Sequence, residues 1–209
     1  SPNRIDAHIA LLDTLASMGR FDEALNVAME TEKIASGKWH SLVLQRKASL
    51  QEALGRVDEA RKLYLQVLSS SEVDSDVAIA SVERLLSLCC FDLDALYNEA
   101  QKRYSVSPSP FLALLLMRIA IEKDIADVAR KHHADIVKRR PYDLSLRLNA
   151  ANAFMRAGML DDAESEYSAV VAMHPLSPQA SIARQQLSAI SILKKRYSDA
   201  FGWLLAVER

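Results

Sequence analysis

The chain has 209 residues, half of them hydrophobic, and a formal charge of −1 at pH 7. That balance argues against a generic phosphate-binding surface, because nucleic-acid binders carry a clear basic excess. Five glycines, six prolines and abundant Ala, Leu, Glu and Arg describe a helical protein with an ample core, and strand signals are absent.

Two further features narrow the class. Cys89 and Cys90 are adjacent in an apolar stretch, a spacing that suits neither a disulfide framework nor a tetrahedral metal site, so they are read as packing residues. The longest apolar run, Phe111 to Ile121, is broken by Arg118 and falls short of the roughly 20 residues that span a bilayer. No membrane insertion by this segment is expected.

In chain order, Ile5, Ile9, Leu12 and Leu15 lie on one face of a first helix, about residues 5–18. Gly19 stops it, and Asp22 and Glu23 open the next helix, about 21–35, where the helix dipole favours carboxylates. Ser36-Gly37-Lys38 turns the chain into a helix at about 39–54, and Gly55 repeats the stop before a helix at about 57–69. Helices follow at about 74–89 and 92–104, then Ser107-Pro108-Ser109-Pro110 breaks the chain and permits a kink at 105–110. Beyond it come helices at about 110–122, 125–139, 143–157 and 160–173, a longer one capped by Ser177-Pro178, and a last one at about 197–208.

The stretch Gly-Arg-Phe-Asp-Glu-Ala at Gly19 to Ala24 returns as Gly-Arg-Val-Asp-Glu-Ala at Gly55 to Ala60 and as Gly-Met-Leu-Asp-Asp-Ala at Gly158 to Ala163. A small residue before the turn, an acidic pair after it and an alanine packed against the preceding helix resembles the tetratricopeptide repeat (TPR) pattern, with its period of about 34 residues. Followed through the chain, the alanine falls at Ala24, Ala60, Ala95, Ala129, Ala163 and Ala200, and Pro141 and Pro175 match the repeat-closing proline. The third and fourth repeats depart from the pattern: Cys89-Cys90 and Lys123-Asp124 stand at the turn, and Phe91 and Ile125 precede the alanine by one residue more than elsewhere.

The resemblance implies an all-α, right-handed solenoid of about six antiparallel helical hairpins. One domain over 1–209 would comprise repeats at about 5–38, 39–73, 74–108, 109–142, 143–176 and 177–209. Ser1-Pro2-Asn3 has the form of an inter-repeat turn, and Phe201, Leu204, Leu205 and Val207 leave an apolar face on the last helix. Solenoid ends normally carry a polar cap, so the expectation is a segment of a longer protein.

No phosphate-cradling glycine loop, metal-spaced Cys/His set or nucleophile elbow is present, so no catalytic residue, metal or cofactor is assigned. His132-His133 point about 100° apart on a helix, unlike a chelating pair at i and i+4. The recurring acidic pairs are helix-start electrostatics.

In TPR proteins the first helix of each hairpin lines a groove that receives a partner segment. Transferring that register gives Arg46, Ser49, Arg84, Arg118, Asn149, Asn152, Arg156 and Gln185, a basic and amide-rich stripe suited to a protein partner carrying acidic groups. Phe111, Leu114 and Leu115 would add an apolar mid-groove pocket; the alternative is that this all-round apolar helix is buried by its neighbours.

The stripe does not reproduce the lysine-and-asparagine carboxylate clamp of TPR co-chaperones: Asn152 alone matches in type, and Ile9 and Asp13 stand in the first repeat. The first reading is a non-catalytic protein-interaction scaffold. The alternative is the periplasmic TPR scaffold of a bacterial exopolysaccharide export machine, recruiting enzymes or guiding polymer. Nucleic acid is not an expected partner, and the compartment stays open between cytoplasm and bacterial periplasm.

Overall fold

A computed structural model describes residues 2–89 and 92–206. Cys90, Phe91 and Val207 therefore lie outside the described residues. The described chain contains twelve α-helices and no strand: α1 (Pro2–Ser17), α2 (Phe21–Ile34), α3 (Lys38–Ala53), α4 (Val57–Ser69), α5 (Ser75–Leu88), α6 (Leu93–Val106), α7 (Pro110–Glu122), α8 (Ala126–Arg139), α9 (Leu144–Arg156), α10 (Leu160–Met173), α11 (Pro178–Leu193) and α12 (Tyr197–Leu205).

Among the described residues, the hairpin corners at Gly19, Gly55, Asp124, Gly158 and Lys195 share one backbone solution. At Gly158, φ is 71°, and the chain turns with Gly158 N–H donating to the Met155 carbonyl at 3.1 Å and Met159 N–H to the Phe154 carbonyl at 3.0 Å. These bonds satisfy carbonyls that the end of a helix leaves without partners. The same pair of bonds recurs where the sequence has no glycine. Asp124 (φ 55°) donates to Ile121 and Ile125 to Ala120, while Lys195 (φ 58°) donates to Ile192 and Arg196 to Ser191. Both corners accept the left-handed conformation that ordinarily costs an L-residue about 1–2 kcal/mol.

Behind five of the corners a small side chain lets two helices approach. Ala24, Ala60, Ala129 and Ala163 are fully buried and Ala200 nearly so. Ala95 is exposed instead, which corrects the register expected for the third repeat. The Asp92 side chain accepts from Ala95 N–H at 3.2 Å and caps α6, and the Asp92 carbonyl accepts from Leu96 N–H. In α4 the corresponding bond runs from Ala60 to Arg56. The cap thus starts α6 one residue late, and Leu96 takes the buried place. Other starts follow the sequence: Ser109 and Ser177 hydroxyls accept backbone N–H bonds from Phe111 and Ala180.

The chain divides within α7 into two compact units, Ser1–Leu115 and Leu116–Arg209. In the first, α1 packs on α2, α2 on α3, α3 on α4 and α4 on α5. One cluster of its core joins Leu12, Leu15, Ala24, Leu25, Ala28 and Leu50, with Phe21 and Val27 against it. In the second, α9 packs on α10, α10 on α11 and α11 on α12, and Phe154, Tyr167, Leu187 and Ile190 are buried. Burying a side chain of this kind stabilises by about 1.5–3 kcal/mol.

Every residue of α7 from Phe111 to Ala120 is buried, Arg118 included at 5% exposure. The expected mid-groove pocket of Phe111, Leu114 and Leu115 is therefore not an open surface. A helix apolar on all sides has no solvent face to offer, and these side chains are core.

Candidate functional site

The polar residues predicted from the repeat register fall into two groups, one in each unit. In the first unit, Arg46 on α3 pairs with Asp13 on α1 at 2.9 Å and donates to the Gln45 side chain at 2.9 Å. Ser49, on the next turn of α3, sits 3.0 Å from the Tyr64 hydroxyl. That hydroxyl also donates to the Glu52 carboxylate at 3.2 Å. Arg84 on α5 closes the network on the same carboxylate, with its Nε 3.1 Å from Glu52 Oε2 and its Nη2 bonded to Oε1. Burial, with Glu52 nearby, pushes the Tyr64 phenol above its ordinary value despite the Ser49 bond. The guanidinium of Arg84, bonded to Glu52, is held above its ordinary value.

In the second unit, Arg118 on α7 donates to Asn149 on α9 at 3.4 Å. Asn152, one turn on, accepts from the Tyr167 hydroxyl at 2.6 Å. Ser49 and Asn152 each stand 15 residues before their tyrosine, so the two units repeat one contact with different chemistry. Burial pushes the Tyr167 phenol up to about 12, with the Arg156 charge pulling the other way. Arg156 and Gln185 are exposed. Beside Arg118 and Arg156 lies a polar hollow of about 290 Å³, with Glu122 and Asp124 also on its wall.

Most other charges are spent on holding hairpins together. Arg130 on α8 grips Asp162 on α10 at 3.0–3.2 Å. Lys194 bonds Asp161 and Glu164, and Arg196 bonds Glu164 at 2.6 Å. The acidic pair Asp161-Asp162 thus does more than start α10: it ties that helix to elements on both sides. Arg147 is the most enclosed of these cations, donating to Glu166 at 2.6 Å and to the Pro141 carbonyl at 2.8 Å. His133 approaches Glu166 at 3.3 Å and meets the Phe154 ring edge-on at 5.1 Å. Burial opposes ionisation of Glu166, yet His133 and Arg147 outweigh it, and the carboxyl is held below its ordinary value.

The remaining sequence candidates for chemistry are packed residues. Burial, reinforced by the Lys131 charge, lowers the His132 imidazole. Burial raises the Cys89 thiol, with Arg61 opposing. No group of three His, Cys, Asp or Glu side chains among the described residues is placed to hold a metal ion, and none of their helices is long and apolar enough to cross a membrane.

Sequence reasoning missed Glu52, Glu122, Asp124 and the His133–Glu166–Arg147 cluster. A usable signal was present for Glu52: Glu52–Arg84, Arg130–Asp162 and Glu164–Arg196 are all opposite charges 32 residues apart. That interval places side chains of neighbouring hairpins side by side.

No protein-family model and no curated protein matches the chain. Solved structures do. PilW, a widely conserved type IV pilus biogenesis factor, aligns with 95% of this chain and 90% of its own, at 13% identity and a TM-score of 0.58. A tetratricopeptide repeat protein from Parabacteroides merdae aligns with 97% of this chain and 78% of its own, at 14% identity and a TM-score of 0.54. At such identities the likeness concerns the fold. The chain has the tetratricopeptide-repeat fold, an all-α solenoid of helical hairpins.

Proposed function

We propose that the chain is a non-catalytic interaction scaffold that receives a protein segment on the first helices of its hairpins. The observation that carries this reading is the contrast between helix faces in the second unit. Polar groups on the second helices, such as Arg130, Asp162 and Glu164, are consumed by ion pairs. On the first helices, Arg156 and Gln185 face solvent, Asn149 and Asn152 are half-buried with their side-chain oxygens bonded to Arg118 and Tyr167, and a hollow opens next to Arg156. Amides and guanidinium groups in that setting suit a peptide backbone and its charged side chains. One relative by fold, the type IV pilus biogenesis factor PilW, agrees with a scaffolding role.

The test is retention of partner protein from an extract of the source cells on immobilised protein. Asn149→Asp and Gln185→Glu are expected to lower retention at least tenfold, while Lys131→Glu on α8 leaves it unchanged. Equal retention by all three variants would remove the first helices as the binding face.

A further inference from the structure

We propose that the hollow beside α9 recognises a mixed-charge segment of the partner, one carrying a basic side chain and, a few residues away, an acidic one. This rests on the interaction-scaffold reading and specifies the chemistry of its ligand.

Among the described residues, the side chains of Glu122, Asp124 and Arg156 enter no ion pair or hydrogen bond, although all three line the same hollow. Elsewhere in the unit comparable charges find each other: Arg130 with Asp162, Arg139 with Asp135, and Lys194 with Glu164. Glu122 is the last residue of α7, Asp124 follows two residues on, and Arg156 is the last residue of α9; Arg118 of α7 also lines the hollow, but it is 5% exposed and donates to Asn149. Ala153 of α9 and Ala157, its C-cap, also line the hollow and leave that part short of side chain.

The chain also shows what a filled version of such a surface looks like. In the first unit Tyr64 and Arg84 hold a carboxylate from the protein itself, Glu52. In the second unit the same intervals from Tyr167, 12 residues back and 20 forward, reach Met155 and Leu187, so neither member of that pair recurs, and Arg156 at this corner has no carboxylate of the described residues to hold it. A purely acidic ligand would nevertheless meet Glu122 and Asp124, and a purely basic one would meet Arg156. A ligand bearing both signs satisfies the carboxylates and the guanidinium together, and like charges placed opposite one another are what reject the wrong partner.

The probes are three fluorescein-labelled peptides of about twelve residues, alternating glycine with lysine and glutamate in turn, with glutamate alone, or with lysine alone. Fluorescence anisotropy at low ionic strength, where exposed charges are least screened, measures their binding to the intact chain. The mixed peptide is expected to bind about tenfold tighter than either single-sign peptide. Arg156→Glu should abolish that advantage, and Glu122→Lys with Asp124→Lys should transfer it to the glutamate peptide. Absence of binding by the mixed peptide, equal binding of the glutamate peptide by the unaltered protein, or indifference to the reversals would overturn the proposal. If the reversals change nothing while Asn149→Asp still lowers partner retention, the hollow is wrong and the scaffold reading stands; if neither matters, both fail.

Discussion

Replacing Arg147 by methionine removes the cation from the most enclosed ion pair of the second unit while keeping most of the aliphatic volume. Glu166, almost fully buried, then loses its 2.6 Å partner and keeps only His133 at 3.3 Å. The Pro141 carbonyl loses its guanidinium donor as well. Breaking a buried pair from one side costs about 3–5 kcal/mol, because a charge is left without compensation. The residual His133 contact places Arg147→Met near the lower end. Glu166→Leu is expected to cost at least as much, since it leaves a guanidinium stranded. Against a total stability of about 5–15 kcal/mol, either loss is large.

The double variant removes both charges together and should recover most of the loss, because an apolar pair of similar volume is often neutral relative to a buried ion pair. Urea unfolding followed by circular dichroism gives the cycle. The penalty is also pH-dependent: a carboxyl held below its ordinary value contributes stability above about pH 4.3 that is lost as pH falls through the folded value, so the gap between wild type and Arg147→Met narrows in acid. Single variants within about 1 kcal/mol of wild type and additive in the double would refute the claim that this cluster holds α8, α9 and α10 together.

Three further outcomes are expected. Lys195→Gly should stabilise by about 0.5–1 kcal/mol, because the exposed Lys195 sits at φ 58° at a corner where glycine is unstrained, whereas Gly158→Val should cost about 1–2 kcal/mol by backbone strain alone, no atom lying within 4 Å of the added Cβ. Melting temperatures of both variants check this pair. His132→Gln should flatten acid destabilisation: burial lowers the folded imidazole, so wild-type stability falls as pH drops below about 6.5 toward the folded value, and unfolding at stepped pH should show that loss removed. Tyr167→Phe should cost about 1 kcal/mol through the lost bond to Asn152, and ultraviolet titration should lose a phenol that ionises near pH 12.

The hairpins were legible because their corners use side-chain-specific geometry. Glycine at Gly19, Gly55 and Gly158 and alanine five residues later announce a left-handed stop and a close helix contact. Where the same backbone is held by Asp124 or Lys195, no residue type advertises it, and only the period locates the corner. Ala95 misled because alanine is common and carries no mark of burial, while Asp92, a good N-cap, set the true start of α6. The helix that carries each polar candidate was legible. How far these side chains are engaged was not, since Glu52 reaches Arg84 across 32 residues and Asp13 reaches Arg46 from another hairpin. For α7, all-round apolar composition leaned toward burial over an exposed pocket, and the buried run Phe111 to Ala120 decides for burial.

The central claim, that a partner segment lies on the first helices of the hairpins, is tested most directly by photo-crosslinking. A benzophenone side chain is placed singly at Asn149 on α9, Gln185 on α11, Lys131 on α8 and Lys138 on α8, and each protein is irradiated in the source-cell extract. Adducts to one partner from Asn149 and Gln185, with none from Lys131 and Lys138, are the predicted result. Adducts from the α8 positions alone would contradict it.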